Sequence, residues 1–315
     1  DEGPEIGGAY GPYFQSERLA IYRREADRLV MEGKAYYCFC TPEELAQERE
    51  SQRQAGQPLL YSGKCRNISP APARERVGRG EKAVIRLRIP AAGTVQVTDL
   101  VRGEVNFALD QFDDLIIMKS NQMPAYNFAC VVDDHAMAIS QVIRAEEHLS
   151  NTPKQLLIYD ALGYERPQFA HLPMILAPDR SKLSKRHGAT AVEDFRAQGF
   201  LAPAIVNYLT LLGWSPGGGT DLVSSSAAAL KFDLARVSKN AAVYDIKKLT
   251  WLNGQYLNSL ALDEVVRAAI PFLVRDGLVT VDQAAENYPF VQKVVGVVRD
   301  RVKTLAELAA AAETG

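Results

Sequence analysis

Apolar runs without polar interruption alternate with helix-like segments in the middle of this chain, and this alternation limits the possible folds more than any other feature. The runs lie at 115–119 (LIIMK), 128–132 (FACVV) and 169–176 (FAHLPMIL). Continuous runs of this kind are typical of strands that are covered on both faces. A helical segment at 155–163 (QLLIYDALG) separates the last two runs. Strands and helices in alternation predict an α/β fold.

Shorter elements precede this region. Their signals are apolar residues at helical spacing, residues in alternation, and a Thr-Pro step that is typical of a helix start. The predicted elements are a helix at about 16–32, a strand at 34–40, a helix from Thr41 to about Gly56, a strand at 82–90, and two strands within 95–110 that turn at Arg102-Gly103.

The chain becomes helical after residue 199. An apolar helix is predicted at 199–214, and 234–315 has the pattern of helices with short breaks. The stretch 215–229, rich in Gly and Ser, is the best linker candidate. No run approaches the ~18 consecutive apolar residues of a membrane span. Four cysteines are too few for a disulfide scaffold. We therefore expect a cytoplasmic protein without a membrane partner.

A basic segment follows the last buried run. Residues 179–188 contain four cations and two serines, and Asp179 is the one acid among them. Lysine charge and serine hydroxyls suit a polyphosphate ligand. A solvated basic turn explains the same composition, so the residues by themselves leave both interpretations open.

The segment 181–186 (SKLSKR) resembles the second signature motif of class I aminoacyl-tRNA synthetases. Further segments resemble glutamyl-tRNA synthetases and occur in the order found in that family, from Asp1 to about Leu257. They include DEGPEIGGAYGPYFQSER, AYYCFCTPEEL, YSGKCR, DLVRGEV, QVIRAEEHLSNTPKQLLIYDALGY and YDIKKLTWLNGQYL. The tail to Gly315 matches only loosely.

The resemblance implies a Rossmann-type α/β catalytic domain whose first half is missing, with an α+β acceptor-binding insertion and a C-terminal all-α stem-contact and anticodon-binding region. The corresponding segments are 1–20 for the remnant of the first half, 21–125 for the insertion, 126–178 for the second half of the catalytic domain, 179–260 for the signature loop and stem-contact helices, and 261–315 for the start of the anticodon-binding region.

The implied reaction joins L-glutamate to the 3′ end of glutamate tRNA through glutamyl-adenylate, with ATP and Mg2+, in a monomeric enzyme. In this family the activation step also depends on bound tRNA. The family's first signature, a Pro-Ser-Pro-Thr-Gly strand that leads into a His-Ile-Gly-His turn, is absent from the 315 residues. We therefore expect the 315 residues alone to show no aminoacylation.

The resemblance assigns the ATP site to residues of three segments. The signature loop stabilises the transferring phosphate, and positioned cations suffice because phosphoryl-type transfer asks little covalent chemistry of the protein. The catalytic residues are Lys182, Ser184, Lys185 and Arg186, of which Lys182 and Lys185 also bind ATP. The other ATP-binding residues are Met174 and Ile175 beside the adenine, and Glu147 and His148 at the neighbouring edge.

The resemblance also assigns the amino-acid pocket. Arg144 matches the arginine that binds the side-chain carboxylate of glutamate. An arginine suits this role because a guanidinium binds a carboxylate through two parallel hydrogen bonds and matches an amide less well. Without the resemblance, an ion pair with Glu146 or Glu147 would explain Arg144. Tyr126 matches an aromatic wall of the pocket, although by its type alone it would be read as core. Cys130 lines the same pocket, where many relatives carry Asn.

Asp133 and Asp134 look like a pair of acids or a metal site. Placed on the predicted strand, they would point to opposite faces and could not act together. We prefer loop capping and, by the resemblance, contact of Asp134 with the tRNA end. Basic residues that are candidates for tRNA backbone contacts, with solvated faces as the alternative, are Lys82, Arg86, Arg88, Lys247 and Lys248.

Cys38, Cys40 and Cys65 form the last group. Some relatives bind structural zinc in this insertion through three cysteines and a fourth ligand, either a His two residues after the last Cys or a Tyr. The His position is Asn67 here, so Tyr61 or water would complete a four-coordinate site. Three reduced, partly buried cysteines are the alternative interpretation.

Two other functions fit part of the pattern. Glutamyl-queuosine tRNA(Asp) synthetase is a shorter relative that also carries zinc cysteines, but the segment YDIKKLTWLNGQYL and the helical tail are not expected there. A non-catalytic tRNA-binding module would lack the first signature. Charging assays with the two tRNAs distinguish a glutamyl-tRNA synthetase from the first alternative. ATP–pyrophosphate exchange distinguishes it from the second.

Overall fold

The computed structural model describes residues 2–184, 186, 188 and 191–314. The chain divides into two units, residues 1–171 and residues 172–315, and each unit contains buried apolar clusters of its own. The helices are α1 (Leu19–Met31), α2 (Pro42–Gln54), α3 (Pro70–Gly78), α4 (Tyr126–Ala136), α5 (Thr152–Leu162), α6 (Val192–Ala197), α7 (Ala202–Leu211), α8 (Ser225–Lys231), α9 (Ile246–Ser259), α10 (Leu262–Arg275), α11 (Val281–Glu286), α12 (Tyr288–Val298) and α13 (Leu305–Thr314). The strands are β1 (Ala35–Cys38), β2 (Val84–Leu87), β3 (Thr94–Asp99), β4 (Gly103–Ala108), β5 (Ile116–Met118), β6 (Gln141–Ala145), β7 (Gln168–Leu172), β8 (Ile175–Leu176) and β9 (Ala242–Val243).

Two predicted boundaries in the first unit are confirmed. Thr41 caps α2, because its side chain accepts the N–H of Glu44 while the Glu44 carboxylate accepts the N–H of Thr41. Strands β3 and β4 form an antiparallel hairpin that ends with Asp99 opposite Gly103. The chain therefore turns where Arg102-Gly103 was predicted to turn it.

Two sheets organise the first unit. One has the strand order β1-β2-β5 with antiparallel neighbours. The other has the order β4-β3-β7-β6, in which β3 and β7 run parallel with Asp99 opposite Phe169. Strand β3 alternates exposed and buried residues, and α1, α4 and α5 contribute residues to the shared core. The parallel pairing brings the end of β3 beside β7, and this is where the candidate site begins.

One predicted strand is wrong. The run 128–132 lies in helix α4. Its residues that are buried there are Phe128, Ala129, Val131 and Val132. These positions have the spacing of one helix face, but five apolar residues fit a buried strand and a buried helix equally well. The helical period, not a strand, therefore sets the directions of Asp133 and Asp134.

The second unit is mainly helical, as the sequence predicts, with two corrections. The parallel pairing of β8 with β9 places a short strand within the predicted helical tail. The predicted linker 215–229 is only partly irregular, because α8 occupies 225–231 and Ser224 caps it by accepting the N–H of Ala227. Among the described residues, no helix is long and apolar enough to span a membrane.

Candidate active site and metal centre

Arg144 lies on β6 and is held by neutral side chains of the first unit. Its Nε donates to Nε2 of His171 over 3.1 Å. Its Nη2 donates to Oγ1 of Thr152 and to Oε1 of Gln155, each over 2.8 Å. Thr152 and Gln155 belong to the start of α5, and His171 belongs to β7. Side chains of two other elements, α5 and β7, therefore orient the guanidinium that β6 carries.

The charge of Arg144 has no carboxylate partner in the described part of the chain. The alternative interpretation, an ion pair with Glu146 or Glu147, is wrong, and Glu146 pairs with Arg102 instead. Among the described residues, Nη1 of Arg144 makes no hydrogen bond. The side chain is only partly buried. Nη1 is therefore available to an anion that comes from outside the chain.

A buried Asp–His pair lies behind Arg144. Nδ1 of His171 is 2.6 Å from Oδ2 of Asp99, and both side chains are fully buried. Burial raises the pKa of Asp99, but hydrogen bonds to its carboxylate outweigh burial, so that this pKa is lowered overall. The donors are the His171 side chain and the N–H groups of Val101, Arg102 and His171. Burial lowers the pKa of His171, Asp99 raises it, and Arg144 and His148 lower it further, so that the pKa is lowered overall. The hydrogen bonds assign the His171 proton to Nδ1, toward Asp99, and the lone pair to Nε2, toward Arg144.

Neither residue of this pair is predicted from the sequence. His171 is the one ionisable side chain in the apolar run 169–176, and a buried polar group needs a hydrogen-bond partner. That is a usable signal for His171. The partner, Asp99, lies 72 residues away in sequence, and only the pairing of β3 with β7 reveals it.

Three predicted residues lie along one face of α4. Tyr126, Cys130 and Asp134 are spaced four residues apart, which aligns them on a helix. Tyr126 is 51% exposed, so it is not core, and its ring centre lies 6.2 Å from that of His148. Burial raises the pKa of the Cys130 thiol and that of Asp134. The hydroxyl of Tyr159 donates to Asp134 over 3.2 Å.

Asp133 and Asp134 have different partners. Asp133 accepts from Nε of Arg18 over 2.6 Å and from the hydroxyl of Tyr22 over 2.7 Å, whereas Asp134 accepts from Tyr159. Consecutive helix residues point about 100° apart. The conclusion that the two acids do not act as a pair is confirmed, but its reason is helical geometry, and Asp133 forms an ion pair rather than capping a loop.

The signature loop of the second unit begins on a tight turn. The N–H of Arg180 donates to the carbonyl of Ala177, and the N–H of Ala177 donates to the carbonyl of Ser181, each over 2.8 Å. Arg180 has a φ of +63°, a conformation uncommon for residues other than glycine. An antiparallel bridge then joins Leu176 to Lys182. The backbone of Lys182 is therefore held by the turn.

The later residues of the signature loop are described in part. Arg186 is exposed, and its Nη2 donates to Oγ of Ser181 over 3.3 Å. Ser184 is half-buried. Lys185, a predicted catalytic and ATP-binding residue, lies outside the described residues.

The predicted adenosine residues lie in both units. In the second unit, Ile175 belongs to β8, and the carbonyl of Met174 accepts the N–H of Ala242 over 3.0 Å. In the first unit, Glu147 and His148 lie in the 3-10 segment that follows β6. Each pair therefore sits directly beside a strand end.

Cys38, Cys40 and Cys65 come together in the first unit. Their sulfur atoms all lie within 4.8 Å of one another, and Sγ of Cys40 is 3.7 Å from Sγ of Cys65. The hydroxyl of Tyr61 is 3.3 Å from Sγ of Cys38 and 3.6 Å from Sγ of Cys40. Tetrahedral zinc, with bonds of about 2.3 Å to sulfur and about 2.0 Å to oxygen, separates its ligands by roughly 3.5–3.8 Å. The three distances of 3.3–3.7 Å are close to this spacing, and the three sulfur atoms lie near enough to one another to hold one ion.

Arg86 lies beside this cysteine cluster and is buried, which makes the expected contact with a tRNA phosphate wrong for this residue. Its guanidinium carbon is 4.0 Å from the ring centre of Tyr61, and its Nη1 donates to the carbonyl of Asp114 over 2.7 Å. Its buried Nε has no hydrogen-bond partner within the described residues. Burial raises the pKa of the Cys38 thiol, but the Tyr61 hydroxyl, the N–H of Cys40 and the nearby charge of Arg86 outweigh burial and leave it lowered.

Residues 3–251 match the sequence model of the class I tRNA synthetases (E and Q), catalytic domain. The chain belongs to this family.

Relatives of the chain include two curated glutamate–tRNA ligases. That of Moorella thermoacetica is 57% identical over 312 residues, which cover 99% of this chain and 64% of the relative. That of Desulforudis audaxviator is 54% identical over 308 residues, which cover 98% and 62%. The crystal structure of a glutamate tRNA ligase from Elizabethkingia meningosepticum in complex with its amino acid has a TM-score of 0.87 at 31% identity, covering 99% of this chain and 66% of that one. The chain thus spans less than two thirds of the length of these relatives.

Proposed function

We propose that the protein ligates L-glutamate to the 3′ end of glutamate tRNA through glutamyl-adenylate. The observation that carries this proposal is Arg144, a cation that three neutral side chains orient and whose Nη1 is unused among the described residues. Such a group binds a carboxylate by charge-assisted hydrogen bonds, which a neutral amide would not match. The names of the relatives, and a solved relative in complex with its amino acid, support the same substrate.

The proposed amino-acid pocket combines Arg144 with two residues of α4. The exposed ring of Tyr126 covers the aliphatic part of glutamate, and the neutral Cys130 thiol offers a weak donor to the substrate. Asp134, on the same helix face, is proposed to contact the tRNA end.

The proposed chemistry is an attack of the glutamate α-carboxylate on the α-phosphorus of ATP. A new P–O bond forms, the bond to pyrophosphate breaks, and pyrophosphate leaves with its electron pair. Mg2+ bound with the ATP neutralises phosphate charge. The groups proposed to stabilise the transferring phosphate are Lys182, Ser184, Lys185 and Arg186, with Met174, Ile175, Glu147 and His148 proposed around the nucleotide. The adenylate then passes glutamate to the terminal ribose of the tRNA, and AMP leaves.

A structural zinc ion at Cys38, Cys40, Cys65 and Tyr61 is part of the proposal. The spacing of the four donor atoms supports it, as does the N–H of Phe39, which lies 3.4 Å from Sγ of Cys65 as expected for a donor to a thiolate. Three thiolates around Zn2+ leave a net negative charge, and the buried Arg86 offsets it. The ion would tie β1 to the loop that carries Tyr61.

The division of the chain remains part of the proposal as well. We assign 21–125 to the acceptor-binding insertion between a remnant of the first catalytic half at 1–20 and the second half at 126–178. The signature loop and stem-contact helices are assigned to 179–260, and the start of an anticodon-binding region to 261–315. We also propose that the protein is a cytoplasmic monomer that binds glutamate tRNA.

The test measures ATP–pyrophosphate exchange and tRNA charging by the protein made from its complete reading frame. We expect exchange only when both glutamate and glutamate tRNA are present, and charging of glutamate tRNA. Charging of aspartate tRNA alone would show the glutamyl-queuosine reaction instead, and tRNA binding without exchange would show a non-catalytic module.

A loop variant extends this test. Lys182→Ala should lower the exchange rate about 100-fold, as expected when one preorganised charge at a transition state is removed. The matched control is Lys231→Ala on the exposed surface of α8, which should leave the rate unchanged.

A further inference from the structure

The buried pair of Asp99 and His171 has no part in the chemistry proposed above, yet His171 is hydrogen-bonded to the guanidinium of Arg144. Asp99 closes β3, His171 lies in β7, and the parallel pairing of these strands brings the two together. Nε2 of His171 then accepts from Nε of Arg144 over 3.1 Å. The result is a continuous line of hydrogen bonds from a buried carboxylate to the proposed substrate-binding cation.

We infer that Asp99 and His171 are positioning residues that orient Arg144 toward the side-chain carboxylate of the amino-acid substrate and so favour glutamate over glutamine. This inference deepens the proposed function and rests on it. Neither residue touches the substrate, and both act through Arg144.

The chemistry of the pair explains why a histidine suits this place. Asp99 accepts the Nδ1 proton, so Nε2 of His171 presents a lone pair to Arg144. A carboxylate in direct contact would also orient Arg144, but it would compete with the substrate for the same charge. A neutral imidazole orients the guanidinium and leaves its full charge for the ligand.

The surroundings of His171 keep it neutral. Burial, Arg144 on β6 and His148 after it act against a second proton, whereas Asp99 on β3 acts for it, and the pKa of His171 is lowered overall. Thr152 of α5 lies 3.0 Å from Nε2. If Nε2 were protonated, it would also place a hydrogen-bond donor against the Nε–H of Arg144, which is itself a donor, and the hydrogen bond would be lost.

Two substitutions of His171 separate its two contacts. The side chain of His171→Asn keeps a donor near Asp99 but has no acceptor within reach of Arg144. The side chain of His171→Gln carries an acceptor close to the former Nε2 position. We expect His171→Asn to raise the KM for glutamate about 10- to 100-fold, as for the loss of one hydrogen bond to a charged group, and to reduce discrimination against glutamine. His171→Gln should recover most of both effects.

The readout is steady-state exchange with full-length protein and glutamate tRNA. The KM for ATP should change less than about twofold in both variants, since neither alters the proposed phosphate contacts. The control is Tyr22→Phe, which removes one buried hydroxyl contact to Asp133 in the same unit and should leave the KM for glutamate unchanged. A parallel rise in both KM values, or equal effects of Asn and Gln at His171, would overturn the inference.

A measurement without any variant gives a second test. Nitrogen-15 NMR of histidine-labelled protein should show His171 as the neutral Nδ1–H form at neutral pH, and an imidazolium or an Nε2–H form would contradict the inference. The two proposals fail differently. If the unmodified protein does not activate glutamate, the proposed function falls. If it does activate glutamate and the variants behave alike, only the positioning role falls.

Discussion

Arg144 and Arg86 are two arginines of the same unit that lack a carboxylate partner among the described residues, and their surroundings differ in an instructive way. Arg144 is partly exposed, three neutral side chains orient it, and its Nη1 is available. Arg86 is buried, lies over the ring of Tyr61 and leaves its Nε without a partner in the described chain.

In our proposal, the two missing negative charges have different sources. A buried cation is costly unless something nearby compensates it, and we propose that the neighbouring cysteine cluster, with its sulfur atoms as thiolates, compensates Arg86. Arg144 is open to one side, so its counterion can arrive with a substrate. In the proposed function, the same side-chain chemistry therefore supports a metal centre in one place and binds a ligand in the other.

The largest expected effect comes from removing the proposed counter-charge of Arg86. Cys65→Ser should eliminate bound zinc, which metal analysis should find at about one ion per chain in the unmodified protein. The melting temperature should fall with it, because metal binding is coupled to folding.

Cys130→Ser is the matched control, since Cys130 lies outside the cysteine cluster, and it should retain the metal. An unmodified protein prepared without chelators that contains no zinc would contradict the proposed centre. It would also leave the burial of Arg86 without its explanation.

The second largest effect is expected from removing Arg144, the cation of the proposed substrate site. Arg144→Gln should lower kcat/KM for glutamate about 100- to 1,000-fold, because the carboxylate then lacks its charged partner. Exchange assays measure this effect. Arg166→Gln, at an exposed arginine paired with Asp160, is the control and should have no effect. Equal losses in both variants would break the distinction between the two arginines.

A smaller effect is expected at Arg86 itself. Arg86→Met keeps the volume but removes the charge, and it should weaken zinc binding about 10- to 100-fold, as for other groups that support metal ligands. Competition with a chelator measures the affinity. Arg76 makes the sharper control, because it lies over Phe39 in the same cluster region but already pairs with Glu81. If Arg76→Met weakens zinc as much as Arg86→Met does, the charge of Arg86 has no special role.

The smallest effect is expected in the amino-acid pocket. Burial raises the pKa of Cys130, so the thiol is neutral and donates weakly. Cys130→Asn introduces a stronger donor and should lower the KM for glutamate about threefold, which is the order of one modest hydrogen bond. An increase would mean that the pocket requires the smaller thiol.

Local signals predicted much of the secondary structure. The capped start of α2, the hairpin of β3 and β4, and the helical second unit all follow from contacts between residues near each other in sequence. The run 128–132 was predicted wrongly because it is too short for its period to be read. The irregular linker was overestimated for a similar reason, since Ser224 begins a helix there.

The sequence by itself determined the residue types of the site. Arg144, the three cysteines with Tyr61, and the basic loop at 179–188 were all identified from type, order and resemblance. The tertiary structure decided which charges are compensated, since burial and long-range pairing set the free energy of a charge. It placed Arg86 inside, gave Asp133 and Asp134 separate partners, and joined Asp99 to His171 across 72 residues. A sequence pattern records which groups are present, whereas their electrostatic partners depend on distances that exist only after the strands have paired.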